Sequence, residues 1–105
     1  MSLDIYLRCS CCQSNIMNEN FTHNVLNMWI KAGCYEVLYE SEGKKAKEIT
    51  TILFLALKDF CINFPEYQAL DSPNGWGTAK HAIGFLFKVW RACDQNPEAI
   101  IHISA

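Results

Sequence analysis

Apolar residues at Ala46, Ile49, Leu53, Ala56 and Phe60 recur at steps of three and four, the spacing that lines one face of an α-helix. Such a stripe is stable in water only when a second apolar surface covers it, so the chain must fold as helices packed on other elements. Ile52 and Leu55 widen the stripe, which predicts a central helix beginning near Lys44. Pro65 interrupts it, and Asn63 with Glu66 has the spacing of a capping box that would open a short further helix through Leu70. A second stripe, Ala82, Ile83, Leu86, Val89, Trp90 and Cys93, predicts a last helix from about Thr78 to Gln95 with Phe87 on its opposite side. Asn96-Pro97-Glu98 ends it. Phe21, Val25, Met28, Trp29 and Ala32 form a third stripe, closed by Gly33 as a left-handed cap, with Asn20 or Thr22 placed to accept from the first-turn N–H groups. Cys34 to Tyr39 reads as a further turn or two of helix.

The two ends of the chain follow another period. Leu3-Asp4-Ile5-Tyr6-Leu7-Arg8 alternates apolar and polar residues, a strand with Leu3, Ile5 and Leu7 pointing inward. Ala99-Ile100-Ile101-His102-Ile103 is short and β-branched, a second strand. The expected fold is therefore mainly α, of α+β type: three main helices plus short helical turns, with a small two-stranded sheet made by the N- and C-terminal strands lying against them. At 105 residues with 50% hydrophobic composition, residues 1–105 read as one domain whose core needs no staple.

Composition excludes several function classes. The formal net charge is −2, and the one basic cluster, Lys44, Lys45 and Lys47, is too sparse to track nucleic acid. The longest strongly apolar run, Ile52 to Leu57, is far too short to span a bilayer. The N-terminus lacks the basic flank and apolar stretch of a secretory signal, so a cytoplasmic protein is expected and its six cysteines are expected as free thiols.

Two segments could carry chemistry. In Cys9-Ser10-Cys11-Cys12, the spacing of Cys9 and Cys12 on a turn suits a shared zinc ion. That is half a site, and Cys34, Cys61, His23 or His81 would have to converge to complete it. Cys61 and Cys93, on or beside apolar stripes, read as small core residues. His23 falls at the start of the first helix, where positive potential disfavours the imidazolium. It can therefore act as a base or a metal ligand, with Cys34 as a candidate nucleophile, or simply cap the helix with its neighbours. The second segment is "NGWGTAK", residues 74 to 80. Its glycines permit positive φ, but it matches neither phosphate-binding glycine pattern. The economical reading is a turn at Asn74-Gly75, an apolar plug at Trp76 and a helix start at Gly77-Thr78.

Taken together, "NFTHNVLNMWIKAGCYEVLY" (20 to 39), "NGWGT" (74 to 78) and "ACDQNPEAIIHIS" (92 to 104) resemble a family of small proteins of bacteria and their phages. In that family a short strand precedes an N-I-T-H-N helix start, and an N-G-W-G loop precedes the last helix. Phe21 stands here for the usual isoleucine and Tyr39 for a common tryptophan. The family brings no assigned activity, but the resemblance puts weight on Asn20, His23, Asn24, Asn74 and Trp76 as ligand-binding residues. The expectation is a non-enzymatic binding or interaction protein of phage or mobile-element type, taking a protein or small ligand and open to homodimer formation. No cofactor is expected apart from zinc at Cys9 and Cys12 in the first alternative, and the second alternative is a small enzyme using His23. The Asn74, Gly75 and Trp76 loop is expected to pack on the start of the first helix, with His23 and Asn24 sharing a polar pocket beneath the indole.

Overall fold

In the computed structural model, which describes residues 2–105, the N-terminal alternation becomes β1 (Ser2–Arg8), with Leu3, Ile5 and Leu7 fully buried. β1 is the central strand of a three-stranded antiparallel sheet, flanked by β2 (Asn15–Thr22) and β3 (Ile100–Ser104). The terminal strands do pair, Ile5 opposite Ile103 and Leu7 opposite Ile101. The expected two-stranded sheet is nevertheless wrong, because the segment expected to open the first helix is a strand as far as Thr22. Register explains why it went unread. Met17, Glu19 and Phe21 face inward opposite Leu7, Ile5 and Leu3, so a glutamate breaks the alternation. The rest of β2 is rich in asparagine, a poor strand former held here by the ladder to β1. Phe21 thus belongs to the sheet.

The outer edge of β3 is covered by the chain entering the central helix. Gly43 N donates to Ile101 O at 2.8 Å, Ile101 N to Lys44 O at 2.9 Å and Ala46 N to Ala99 O at 2.8 Å. The Glu42 carboxylate closes the end, accepting from Ile103 N at 2.6 Å and meeting His102 Nδ1 at 2.9 Å. β2 is the other edge, and its exposed asparagines blunt it against pairing with further strands.

Thr22 Oγ1 accepts from Asn24 N, and a 3-10 turn, His23–Val25, leads into α1 (Leu26–Ala32), which Gly33 closes at φ 78°. α2 (Tyr35–Tyr39) follows. The central helix α3 (Thr50–Ile62) starts later than Lys44, after a 3-10 turn, Ala46–Glu48, in which the Glu48 carboxylate accepts from Lys45 N at 2.8 Å. Ala46, Ile49, Leu53, Ala56 and Phe60 are buried as their spacing requires, whereas Ile52 and Leu55 point outward. No capping box forms at Asn63: its amide donates to Asp59 Oδ1 at 2.9 Å, and α4 (Phe64–Gln68) begins at Phe64 with Pro65 in its first turn.

α5 (Ala79–Gln95) buries Ala79, Ala82, Phe85, Leu86, Val89 and Cys93, with Ile83 and Trp90 only half-buried. Its covered side is rotated toward Phe85 because the helix lies on β2, where Phe85 stacks on Phe21 at 5.1 Å between ring centroids.

Trp29 of α1 joins these layers. Its ring lies 6.1 Å from Phe21 of β2, 5.9 Å from Phe60 of α3 and 5.8 Å from Phe85 of α5. Its indole Nε1 is buried without a partner among the described residues, which costs about 1–3 kcal/mol. Burying an aromatic side chain of 150–250 Å² at about 25 cal/mol/Å² contributes roughly 4–6 kcal/mol, so packing wins. Trp29→Ala is expected to cost about 3–5 kcal/mol in urea melts. Ile30→Ala, at a neighbouring 58% exposed position, is expected to change stability by no more than about 0.5 kcal/mol.

Burial pushes the Cys34 and Cys93 thiols from an ordinary 9.0 up to about 12. Between those values the unfolded chain has released protons that the folded chain retains, so stability falls as pH rises from about 9 toward about 12 and is intact below. The urea midpoint is expected to hold from about pH 7 to about pH 8.5 and to drop by about pH 10.5, and Cys93→Ala should shrink the drop.

Candidate functional site

α5 starts where its first N–H groups find acceptors: Thr78 Oγ1 accepts from His81 N at 3.3 Å and Asp71 Oδ1 from Ala79 N at 2.7 Å. The loop before it is tied to itself. Asn74 Oδ1 accepts from Trp76 N at 2.9 Å and from Ser72 Oγ at 2.6 Å, and Gly75, at φ 76°, donates its N–H to Ser72 O at 3.1 Å. Gly77, at φ 106°, presses against the end of β2, where a Cβ would lie 2.9 Å from Val25 Cγ1 and 3.1 Å from Thr22 Cγ2. Asn24 Nδ2 fastens the contact by donating to Trp76 O at 3.0 Å. The loop therefore docks on the start of the first helical segment, as its polar groups suggested.

Across this seam opens a cavity of about 630 Å³ lined by Asn20, Thr22, Asn24, Gly75, Trp76 and His81 among others. Trp76 stands 72% exposed at its rim, so the reading of an apolar plug is corrected. The reason is the buried Gly77: its backbone fills the seam against Val25, and the indole is left to project outward. His23 is also not beneath the indole. Its Nδ1 lies 2.7 Å from the hydroxyl of Tyr39 at the end of α2, and neither residue lines the cavity. Of the five residues expected to bind ligand, Asn20, Asn24 and Trp76 line the cavity, Asn74 shapes its loop, and His23 serves the α2 contact. Ser2, Thr22 and His81 belong to the site and were missed. For His81 a signal existed, since the Thr78-to-His81 spacing places it in the first turn of α5.

The lining is polar and oriented. Asn20 Nδ2 donates to Ser2 Oγ at 2.8 Å and to Asp4 Oδ1 at 2.9 Å. A carboxylate and a backbone carbonyl accept only, so the amides of Asn20 and Asn24 must both turn their NH₂ groups to the protein. Each thereby keeps its Oδ1 for a ligand.

The cysteine cluster lies in the β1-β2 turn, closed by Cys9 N donating to Ser14 O at 2.9 Å and by Gln13 at φ 63°. Cys12 Sγ sits 3.0 Å from Ser14 Oγ, and hydrogen bonding by Ser14 and then Cys9 holds the Cys12 thiol below its ordinary value. Among the described residues no group of three or more His, Cys, Asp or Glu side chains is placed to hold a metal ion, so Cys34, Cys61, His23 and His81 do not converge on Cys9 and Cys12. Cys34 is fully buried and its thiol stays protonated, unsuited to act as a nucleophile beside His23. Cys61 is exposed on the outer side of α3, not in the core as expected. Among the described residues no helix is long and apolar enough to cross a membrane. Compared with known protein families, curated proteins and solved structures, the chain matches none.

Gly77→Ala is expected to destabilise by roughly 1–3 kcal/mol, since the methyl meets Val25 and the backbone is left-handed. Gly84→Ala, in open space on α5, should stabilise by about 0.5–1 kcal/mol in the same thermal melts.

Proposed function

We propose that the protein is a non-enzymatic binding protein that takes a small hydroxyl-rich ligand, a sugar-like ring, in the cavity beside Trp76. The observation that carries this reading is the indole itself, 72% exposed while the backbone on both sides of it is fixed by hydrogen bonds from Asn24 and to Asn74. Covering such a ring removes on the order of 150 Å² from water, a gain of about 3–4 kcal/mol that the free protein forgoes. The apolar face of a sugar ring stacks on an indole, and its hydroxyls donate to amide oxygens such as those of Asn20 and Asn24. A volume of about 630 Å³ suits a ligand of this size. The one imidazole in the lining, His81, has its Nδ1 3.1 Å from the Thr78 hydroxyl and so is engaged with its own helix cap, which supports recognition over acid-base chemistry.

A panel of mono- and oligosaccharides titrated against indole emission tests the proposal. Binding is expected to shift the emission of the wild type and to disappear in Trp76→Ala, whose melting temperature should stay within about 1–2 °C of wild type, since a largely exposed ring contributes little to the core. A Trp76→Ala protein that melts several degrees lower would show that the indole serves the fold, and the reading would fail.

A further inference from the structure

The β1-β2 turn gathers three of the six cysteines into the run Cys9-Ser10-Cys11-Cys12. Gln13 N donates to Cys9 O at 2.9 Å, the i to i+4 bond that winds residues 10–12 into one turn of helix, and Gln13, at φ 63°, stops the winding. The winding decides which sulfurs meet. Residues three apart lie on one face of such a turn and residues two apart do not, so Cys12 faces Cys9 while Cys11 points away from it. The Cys9 side chain is accordingly a hydrogen-bonding neighbour of the Cys12 thiol. Cys11 is no partner for Cys12 either, because adjacent Cα atoms are about 3.8 Å apart and a relaxed disulfide needs about 4.4–6.8 Å.

We propose that Cys9 and Cys12 form a redox-active dithiol pair that exchanges with the disulfides of low-molecular-weight thiols, Cys12 attacking and Cys9 resolving. The order follows from access. Cys12 is exposed, and its Sγ lies 3.0 Å from Ser14 Oγ, whose hydrogen can turn toward a thiolate there. Cys9 is half-buried at the edge of a cleft of about 290 Å³ that it shares with Pro97 and Glu98, so an incoming disulfide reaches Cys12 first while a proton can still leave Cys9.

In the first step the Cys12 thiol gives its proton to solvent and the thiolate attacks one sulfur of the incoming disulfide. That S–S bond breaks, a mixed disulfide forms on Cys12, and the departing thiolate takes a proton from solvent. In the second step Cys9, its proton likewise released, attacks Cys12 Sγ; the mixed S–S bond breaks and the second thiolate leaves and is protonated. The protein's thiol pair is oxidised to one disulfide, and the small disulfide is reduced to its thiols. Closure joins residues already held together by the backbone bonds of the turn, Cys9 N to Ser14 O and Gln13 N to Cys9 O. The other cysteines lack one half of this chemistry. Cys34 and Cys93 are fully buried, and Cys61 is exposed in a groove whose lining holds no second cysteine, so it can be attacked but not resolved.

Oxidised glutathione is the probe. The full chain is incubated with it, quenched with an alkylating agent and read by intact mass and peptide mapping. The expected wild-type product is a Cys9–Cys12 disulfide with no glutathione retained on Cys12, while Cys61 keeps the mixed disulfide it forms. Cys9→Ser should trap glutathione on Cys12. In Cys12→Ser, modification of Cys9 should be about tenfold slower than that of Cys12 in Cys9→Ser. Cys11→Ser should close as the wild type does, and an excess of reduced glutathione should reopen the pair. Glutathione retained on Cys12 of the wild type would overturn the proposal, and so would an internal disulfide made through Cys11 or Cys61. Equal rates at Cys9 and Cys12 in the two single variants would overturn the assignment of attacker and resolver.

Discussion

The packing of Trp29 against Phe21, Phe60 and Phe85 is the contact on which the rest of the structure depends. It brings one ring each from β2, α3 and α5 around a single indole on α1, so the sheet and the helices share one core. Elements separated in sequence by more than fifty residues are positioned by the same side chain, and Phe21 stacked on Phe85 closes the group. The orphaned indole N–H shows how strongly packing dominates there: a polar atom is given up in exchange for aromatic contact on every side.

That junction also sets where the candidate site lies. With Phe21 held under α5, the end of β2 and the start of α5 are adjacent, and the loop from Ser72 to Gly77 has to cross the gap between them. Gly77 makes the crossing close, and the absence of its side chain turns Trp76 outward. The cavity is consequently lined by the last residues of a strand, the first turn of a helix and a loop whose amide groups are already oriented. Such a lining is largely preformed, and it presents amide oxygens, hydroxyls, an imidazole and one aromatic face.

Much of the framework was legible because it is local. The alternation at Leu3, Ile5 and Leu7, the stripe from Ala46 to Phe60 and the Thr78 start of α5 depend on neighbours within a few residues. β2 was not legible for the converse reason: Glu19 and the asparagines carry no strand preference and are held by pairing with β1. Within the site, Asn20, Asn24 and Trp76 were readable as a set, whereas His23 was misplaced because its Tyr39 partner comes from α2.

The amino-acid sequence by itself determined which residues alternate, which stripe belongs to each helix and where Gly33 and Thr78 punctuate the chain, since backbone sterics and hydrogen bonding within a turn decide these. Tertiary structure alone decided that Asn15–Thr22 is a strand, that Phe85 and not Trp90 faces the core, and that Trp76 faces out. Burial is a property of what an element meets. Two equally apolar sides of α3 are the same to its own turns, and only the positions of Trp29 and α5 select the side that is covered.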